Sequence, residues 1–284
     1  MQLLKKIDIL FFSYLVITTI LLLFSWNTIE NPVTLLVIRF LIFTVSIGFI
    51  YLDSKVKNQF ISLLRKVYPV VFSMLFYTET VHYNKLFFND LDTYLVKIDD
   101  YVFGFQPSIL FSEYFSHPLF SELMYIGYFS LYIIIIYFIF AVFFKLKKDA
   151  DELYFKLAAT MLLYYLFFSF FPSKGPQFYF SSPENNLPTA FIFDKIMHLI
   201  QKAEQPTGAF PSSHVGISIV ILVLLRKKVP NFFKIALPFV ILLTLSTVYI
   251  KAHYAIDVAG GVISAVILLY LTSFLYKKIP NCKT

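Results

Sequence analysis

Eight long apolar runs recur along the chain, near residues 7–26, 33–52, 66–83, 119–144, 153–171, 213–229, 233–250 and 255–276. A helix needs about 20 mostly apolar residues to cross the hydrocarbon core of a bilayer. Backbone polar groups inside lipid can be satisfied only within helices or closed barrels. The spacing therefore predicts an all-α, polytopic membrane protein with about eight transmembrane helices. Composition agrees, since 14% of the 284 residues are charged against about 25% in a soluble domain. The first run is too long for a cleaved signal peptide, and no small-x-small site follows it.

Charge orients these runs. The formal net charge is +7. With the N-terminus inside, 17 of the 24 basic residues fall on inner segments, six fall on outer segments, and Arg39 lies within the second run. Cytoplasmic loops carry such an excess of Lys and Arg. Both termini are thus expected in the cytoplasm, with segments 84–118, 172–212 and 251–254 outside. That distribution argues against a nucleic-acid partner. The single cysteine, Cys282, can form neither an internal disulfide nor a metal cluster. No internal repeat or low-complexity linker divides the chain, which reads as one membrane domain. Richness in Lys, Phe, Ile and Asn is associated with AT-rich bacterial genomes, so the expected location is a bacterial inner membrane.

Two outer segments are more than connectors. In LDTYLVKIDDYVFGFQPS, Leu91, Tyr94, Leu95, Ile98, Tyr101 and Val102 recur at helical spacing, while Asp92, Lys97, Asp99 and Asp100 fill much of the rest. The pattern predicts an interfacial helix, read as a strut and ended by Gly104 and Pro107. TAFIFDKIMHLIQKAE is amphipathic too, with His198 near its polar side as a solvated residue. Arg39 is expected to snorkel or to pair within the bundle, and Glu79 with His82 to cap the third run or to line a site entrance. The many Phe and Tyr residues read as lipid-facing and interfacial filler.

Three short stretches carry polar chemistry. AFPSSH, residues 209–214, opens the sixth run. Pro211 suits a helix start and Ser212 or Ser213 a cap. The same free N–H groups form a ready phosphate cradle, with His214 in the first turn. Both readings stay open at this point. In STVYIKAHYAIDVAGG, residues 246–261, His253 and Asp257 stand four apart and share a helix face. A carboxylate there can hold the imidazole tautomer that leaves Nε2 free as nucleophile or base, and Lys251 adds positive charge. Ionisable groups beside a span are functional by default. In FPSKGPQ, Pro172, Gly175 and Pro176 form a rigid turn that holds Lys174 at the membrane boundary. All three stretches fall at outer ends of spans, so they are expected to converge.

PSSH followed by a span and S-x-x-Y-x-K-x-H-Y-x-x-D resembles the second and third motifs of the membrane-bound type 2 phosphatidic acid phosphatase superfamily. Pro211, Ser212 and His214 match the second motif, with Ser213 in a glycine position. Ser246, His253 and Asp257 match the third, with Thr247 in an arginine position. The first motif is not intact: FPSKGPQ stands in its place, with Gln177 where an arginine is expected. That departure, Lys251 and the KIDDYVFGFQP segment resemble the branch of inositol phosphorylceramide synthases and their bacterial relatives. The resemblance covers roughly residues 70–276. It implies a six-helix phosphatase core at 66–284 and a two-span addition at 1–65.

The resemblance also implies a mechanism. His253 attacks phosphorus to form a phosphohistidine, Asp257 orients it, and His214 protonates the leaving group. Lys174, Lys251, Ser212 and Ser213 bind the phosphoryl oxygens. No metal or other cofactor is implied, and no obligatory protein partner. The substrate would be a lipid phosphate or polyprenyl pyrophosphate among the membrane lipids, hydrolysed on the outer face. A phosphotransferase passing a phospho-head group to a lipid or sugar hydroxyl is the alternative. A transporter or scramblase is the reading from another class, but such sites usually lie near the bilayer midplane.

Overall fold

The computed structural model describes residues 4–56 and 58–280. Lys57 and Lys283, two of the inner basic residues, and Cys282 lie outside the described residues. Among the described residues there are twelve α-helices and no strand: α1 (Lys6–Phe24), α2 (Pro32–Lys55), α3 (Gln59–Glu79), α4 (Asp92–Phe103), α5 (Pro107–Tyr114), α6 (Pro118–Lys145), α7 (Ala150–Phe168), α8 (Pro176–Tyr179), α9 (Phe193–Ala203), α10 (Ser213–Arg226), α11 (Pro230–Tyr249) and α12 (Ala255–Lys278). The chain is an all-helical, polytopic membrane protein.

Helices α1, α2, α3, α6, α11 and α12 are long and apolar enough to cross a membrane. The other two expected spans correspond to α7 and α10. Helix α7 carries Asp151, Glu152 and Lys156 in its first two turns. Helix α10 has 14 residues, about 21 Å at 1.5 Å per residue, short of the roughly 30 Å hydrocarbon core. Length and composition thus support six spans, and the expected eight is not met on that test.

Helix α7 sits at the centre, packed against α1, α3, α10 and α12. Leu153, Phe155, Leu157, Ala158, Ala159 and Leu162 are all buried along it. The N-terminal helices attach to this core through buried ion pairs. Arg65 on α3 meets Asp8 on α1 at 2.8 Å and Asp53 on α2 at 2.9 Å. Arg39 on α2 meets Glu79 on α3 at 2.5 Å. It also donates to the hydroxyls of Thr18 and Thr19 on α1 at 2.9 and 2.8 Å. Arg39 therefore pairs inside the bundle rather than snorkelling, because acceptors on two helices lie within reach of its planar fork.

Rings such as Phe40, Phe144 and Tyr270 are exposed, as expected of lipid-facing residues, but a set of tyrosines departs from that reading. Tyr83, Tyr125, Tyr128, Tyr154, Tyr164, Tyr249 and Tyr254 are fully buried. A tyrosine packs its ring in a core when its hydroxyl finds a partner. The Tyr249 hydroxyl shares a 2.7 Å hydrogen bond with Ser121, Tyr164 does so with Ser264, and Tyr154 donates to the Ile139 carbonyl. These bonds join helices that apolar contact alone would leave free to slide.

Candidate active site

The three polar stretches meet at one end of the bundle, and their backbones interlock. The Gln177 N–H donates to the Lys251 carbonyl at 2.9 Å, Ser212 N–H to the Asp257 carbonyl at 3.0 Å, and Phe210 N–H to Ser173 Oγ at 2.8 Å. Two glycines permit this approach. Gly175 has φ +90°, and a Cβ there would lie 2.7 Å from the Ala252 carbonyl oxygen. A Cβ on Gly261 of α12 would lie 2.7 Å from the Ser212 carbonyl oxygen. Side chains at these positions would push the turns apart.

The imidazoles sit where the turns cross. His253 Nε2 lies 3.4 Å from His214 Nδ1. His253 is buried in the loop between α11 and α12, and His214 is half-buried in the first turn of α10. The His253 Nδ1 is 2.7 Å from the Ala209 carbonyl oxygen. A carbonyl can only accept, so Nδ1 carries the proton and Nε2 carries the lone pair. Burial pushes the His253 pKa down to about 4, against smaller upward contributions from the Ala209 bond and Glu204. At neutral pH the ring is uncharged, with its free nitrogen facing His214.

Asp257 is placed differently from the sequence expectation. Its Oδ2 is 3.4 Å from His253 Nδ1 but accepts the Tyr254 N–H at 2.8 Å. The closer acceptor for His253 is the Ala209 carbonyl. Asp257 is a weaker second partner, because it also closes the first turn of α12.

Ser212 is the N-cap of α10, its Oγ accepting the Val215 N–H at 3.4 Å. The amides of Ser213 and His214, in the same first turn, have no acceptor within a helix. Ser213 and His214 line a cavity of about 160 Å³ shared with Met74, Tyr77, Tyr132 and Glu204.

The two lysines do not meet the imidazoles. Lys174 Nζ pairs with Asp90 at 2.7 Å, and that contact raises its pKa. Lys251 has a left-handed backbone, φ 63°, uncommon for a side chain with a Cβ. Its buried Nζ lies 3.4 and 3.5 Å from the Ser108 and Ile109 carbonyl oxygens of α5. Burial lowers its pKa to about 8. Thr247, in the arginine position, turns its hydroxyl to the Thr244 carbonyl, while its own carbonyl accepts the His253 N–H at 3.1 Å.

Three acids were not recognised from sequence. Asp92 accepts the Lys174 and Gly175 amides and the Tyr254 hydroxyl, at 2.9 to 3.0 Å. Asp99 accepts the Ala255 and Ile256 amides at 2.8 and 2.9 Å, holding the start of α12. Helix α4 is therefore a clamp over the site rather than a strut. The signal was available: Asp92, Leu95 and Asp99 recur at three and seven residues, one face of a helix, and all three are buried. Glu204, just past α9, accepts the Tyr128 hydroxyl at 2.6 Å and the Gln177 amide at 2.5 Å. Burial raises its pKa, and those two donors partly offset the rise. The Tyr128 ring stacks on His214 with centroids 4.7 Å apart. His198 is exposed, as expected.

This is a pair of facing imidazoles, one held neutral with its Nε2 lone pair free, beside a helix N-terminus and a cavity opening among apolar helices. No curated protein and no solved structure matches the chain. A family model described as the PAP2 superfamily matches residues 93–271, from α4 into α12 and across all three interlocked turns. That match covers more than half of the residues, and the chain belongs to the PAP2 superfamily, that of the membrane-bound type 2 phosphatidic acid phosphatases.

Proposed function

We propose that this protein cleaves a phosphoester of a membrane lipid through nucleophilic attack by His253 on phosphorus. The observation that carries the reading is the 2.7 Å bond from His253 Nδ1–H to the Ala209 carbonyl. It fixes the tautomer in which Nε2 is free. The Nε2 lone pair forms the P–N bond as the P–O bond to the leaving group breaks. His214 gives its ring proton to the departing oxygen, and an anionic phosphoryl group beside it favours its protonated form. In the second step water, or an acceptor hydroxyl, bonds to phosphorus, the P–N bond breaks, and His214 takes the proton. Phosphorus must come within about 3–3.5 Å of Nε2 before attack. His214 Nδ1 fills that place, so substrate entry turns the His214 ring aside. The Ser213 and His214 amides at the positive end of α10 hold phosphoryl oxygens.

Lys174 and Lys251 act at one remove in this reading. Their ammonium groups brace the turns, and phosphate contact requires them to leave Asp90 and α5. Asp257 supports His253 from behind. Basic residues cluster at the end of the bundle away from the imidazoles, which supports a site on the outer face of a bacterial inner membrane with both termini in the cytoplasm. The two N-terminal spans then precede a phosphatase core.

The test is turnover by purified protein given phosphatidic acid, polyprenyl pyrophosphate and phosphatidylinositol. Free phosphate supports hydrolysis, and a new phospholipid supports head-group transfer. Folded protein inert toward all three overturns the reading. The depressed His253 pKa adds a pH dependence. Protonation removes the Nε2 lone pair, so the acid limb of kcat/KM that reports His253, for a substrate that does not titrate in this range, should appear only at about pH 4. An acid limb near the ordinary imidazole value of about 6.5 would contradict a neutral, buried nucleophile.

A further inference from the structure

The charges around the imidazoles are unusual for a site that handles phosphate. The chain has three arginines, and all are engaged away from the imidazoles. Arg39 pairs with Glu79, Arg65 with Asp8 and Asp53, and Arg226 lies over the Phe233 ring at the far end of α10. Lys174 is paired with Asp90, and Lys251 points to α5. The side chain that lines the cavity beside His214 with a formal charge is a carboxylate, Glu204.

A chain of hydrogen bonds fixes how Glu204 is held. The Ile250 carbonyl can only accept, so the contact at 3.2 Å sets the Gln201 amide with its NH₂ toward Ile250. The same NH₂ donates to Gln177 Oε1 at 3.2 Å. That turns the Gln177 NH₂ onto Glu204 Oε2 at 2.5 Å. The other carboxyl oxygen, Oε1, receives the Tyr128 hydroxyl at 2.6 Å. Oε2 must accept from the Gln177 amide, and with the Tyr128 hydroxyl donating to Oε1 both oxygens serve as acceptors; burial disfavours the charge, and these two donors stabilise it. Tyr128 in turn stacks on His214, so the anion is tied to the ring that must move for substrate to enter.

We propose that Glu204 is a charge-selecting residue of this site, a fixed carboxylate that admits phosphorus centres bearing one negative charge and disfavours those bearing two. The inference rests on the reading of the imidazole pair as a phosphoester-cleaving centre. Its physical basis is like-charge repulsion in a cavity poor in countercharge. A phosphodiester brings one charge, which the α10 amides can meet. A phosphomonoester dianion brings a second, placed against Glu204 with no Lys or Arg among the described residues lining the cavity to offset it. The favoured substrates are therefore lipid phosphodiesters. Gln177 and Gln201 are positioning residues that keep the carboxylate aimed.

The experiment compares phosphatidic acid with phosphatidylmethanol of the same acyl chains at pH 8, using the full chain, Glu204→Gln and His253→Ala. The pair differs by one methyl group and one charge. The parent should prefer phosphatidylmethanol in kcat/KM by about tenfold or more. Glu204→Gln should shrink that preference about tenfold, chiefly by gaining on phosphatidic acid. A preference unchanged in Glu204→Gln, or equal losses on both lipids, overturns the proposal. Turnover of both lipids by His253→Ala would instead overturn the underlying reading and leave the selectivity ratio to be judged separately. Binding of two non-cleavable alkyl phosphonates, one free and one methyl-esterified, reads the same charge preference without turnover. An inert protein thus still decides the role of Glu204.

Discussion

His253→Ala is expected to lower kcat by at least about 10⁴-fold, the scale of losses when a nucleophile is removed from a group that acts as a unit. The substitution removes the atom that bonds to phosphorus. It also leaves the buried Ala209 carbonyl without its donor, which costs about 1–3 kcal/mol of stability. The two effects separate cleanly. A thermal melt in detergent should show a modest fall, while turnover at a temperature well below the transition should vanish. Residual activity above about 1% of the parent, a loss of no more than two decades and well short of that scale, would mean that another group attacks phosphorus.

The second large effect is on architecture. Asp92→Ala removes the acceptor of the Lys174 and Gly175 amides and of the Tyr254 hydroxyl. Each buried donor left unpaired costs about 1–3 kcal/mol. The expected total is about 3–6 kcal/mol, less than strict addition because the donors are neighbours. Activity should fall with it, although Asp92 has no contact with either imidazole, because the turns that position His253 rest on α4. Asp100→Ala, at an exposed position on the same helix, should do neither. Amide exchange at Lys174 and Gly175 would accelerate in Asp92→Ala if the clamp operates. Unchanged exchange there would show that α4 merely covers the site.

The parts of this architecture legible in the sequence are those that depend on local pattern. Apolar runs fixed the long helices, since hydrophobic length is a property of each segment alone. The serine before α10 likewise expresses a contact within one turn of chain, whereas the four-residue spacing brings Asp257 only to 3.4 Å of a His253 that lies in the loop before α12 and bonds the Ala209 carbonyl instead. Proline and glycine in FPSKGPQ marked a turn, and the turn is there. Parts that depend on partners from other segments were hidden. Lys174 and Lys251 were expected at the phosphate because lysine is cationic, yet their destinations, Asp90 and the carbonyls of α5, are set by segments distant in sequence. Asp92 and Asp99 looked like the wet side of an interfacial helix. Their seven-residue spacing identified a shared face but not that the face was turned inward. Glu204 gave no signal, because an acid at the end of an amphipathic helix is ordinary until Tyr128 and Gln177 arrive from elsewhere. The buried tyrosines were misread for the same reason: a hydroxyl partner on a neighbouring helix is invisible in a one-dimensional pattern.

The most direct measurement follows phosphorus itself. A lipid substrate labelled at phosphorus is mixed with excess protein, quenched in alkali within one turnover, and the peptides are mapped. Label is expected on the peptide carrying His253, stable to alkali and lost in acid as a P–N bond is, and absent from His253→Ala. Label on a hydroxyl residue that survives acid, or single-turnover cleavage with no labelled peptide at any time, would contradict it.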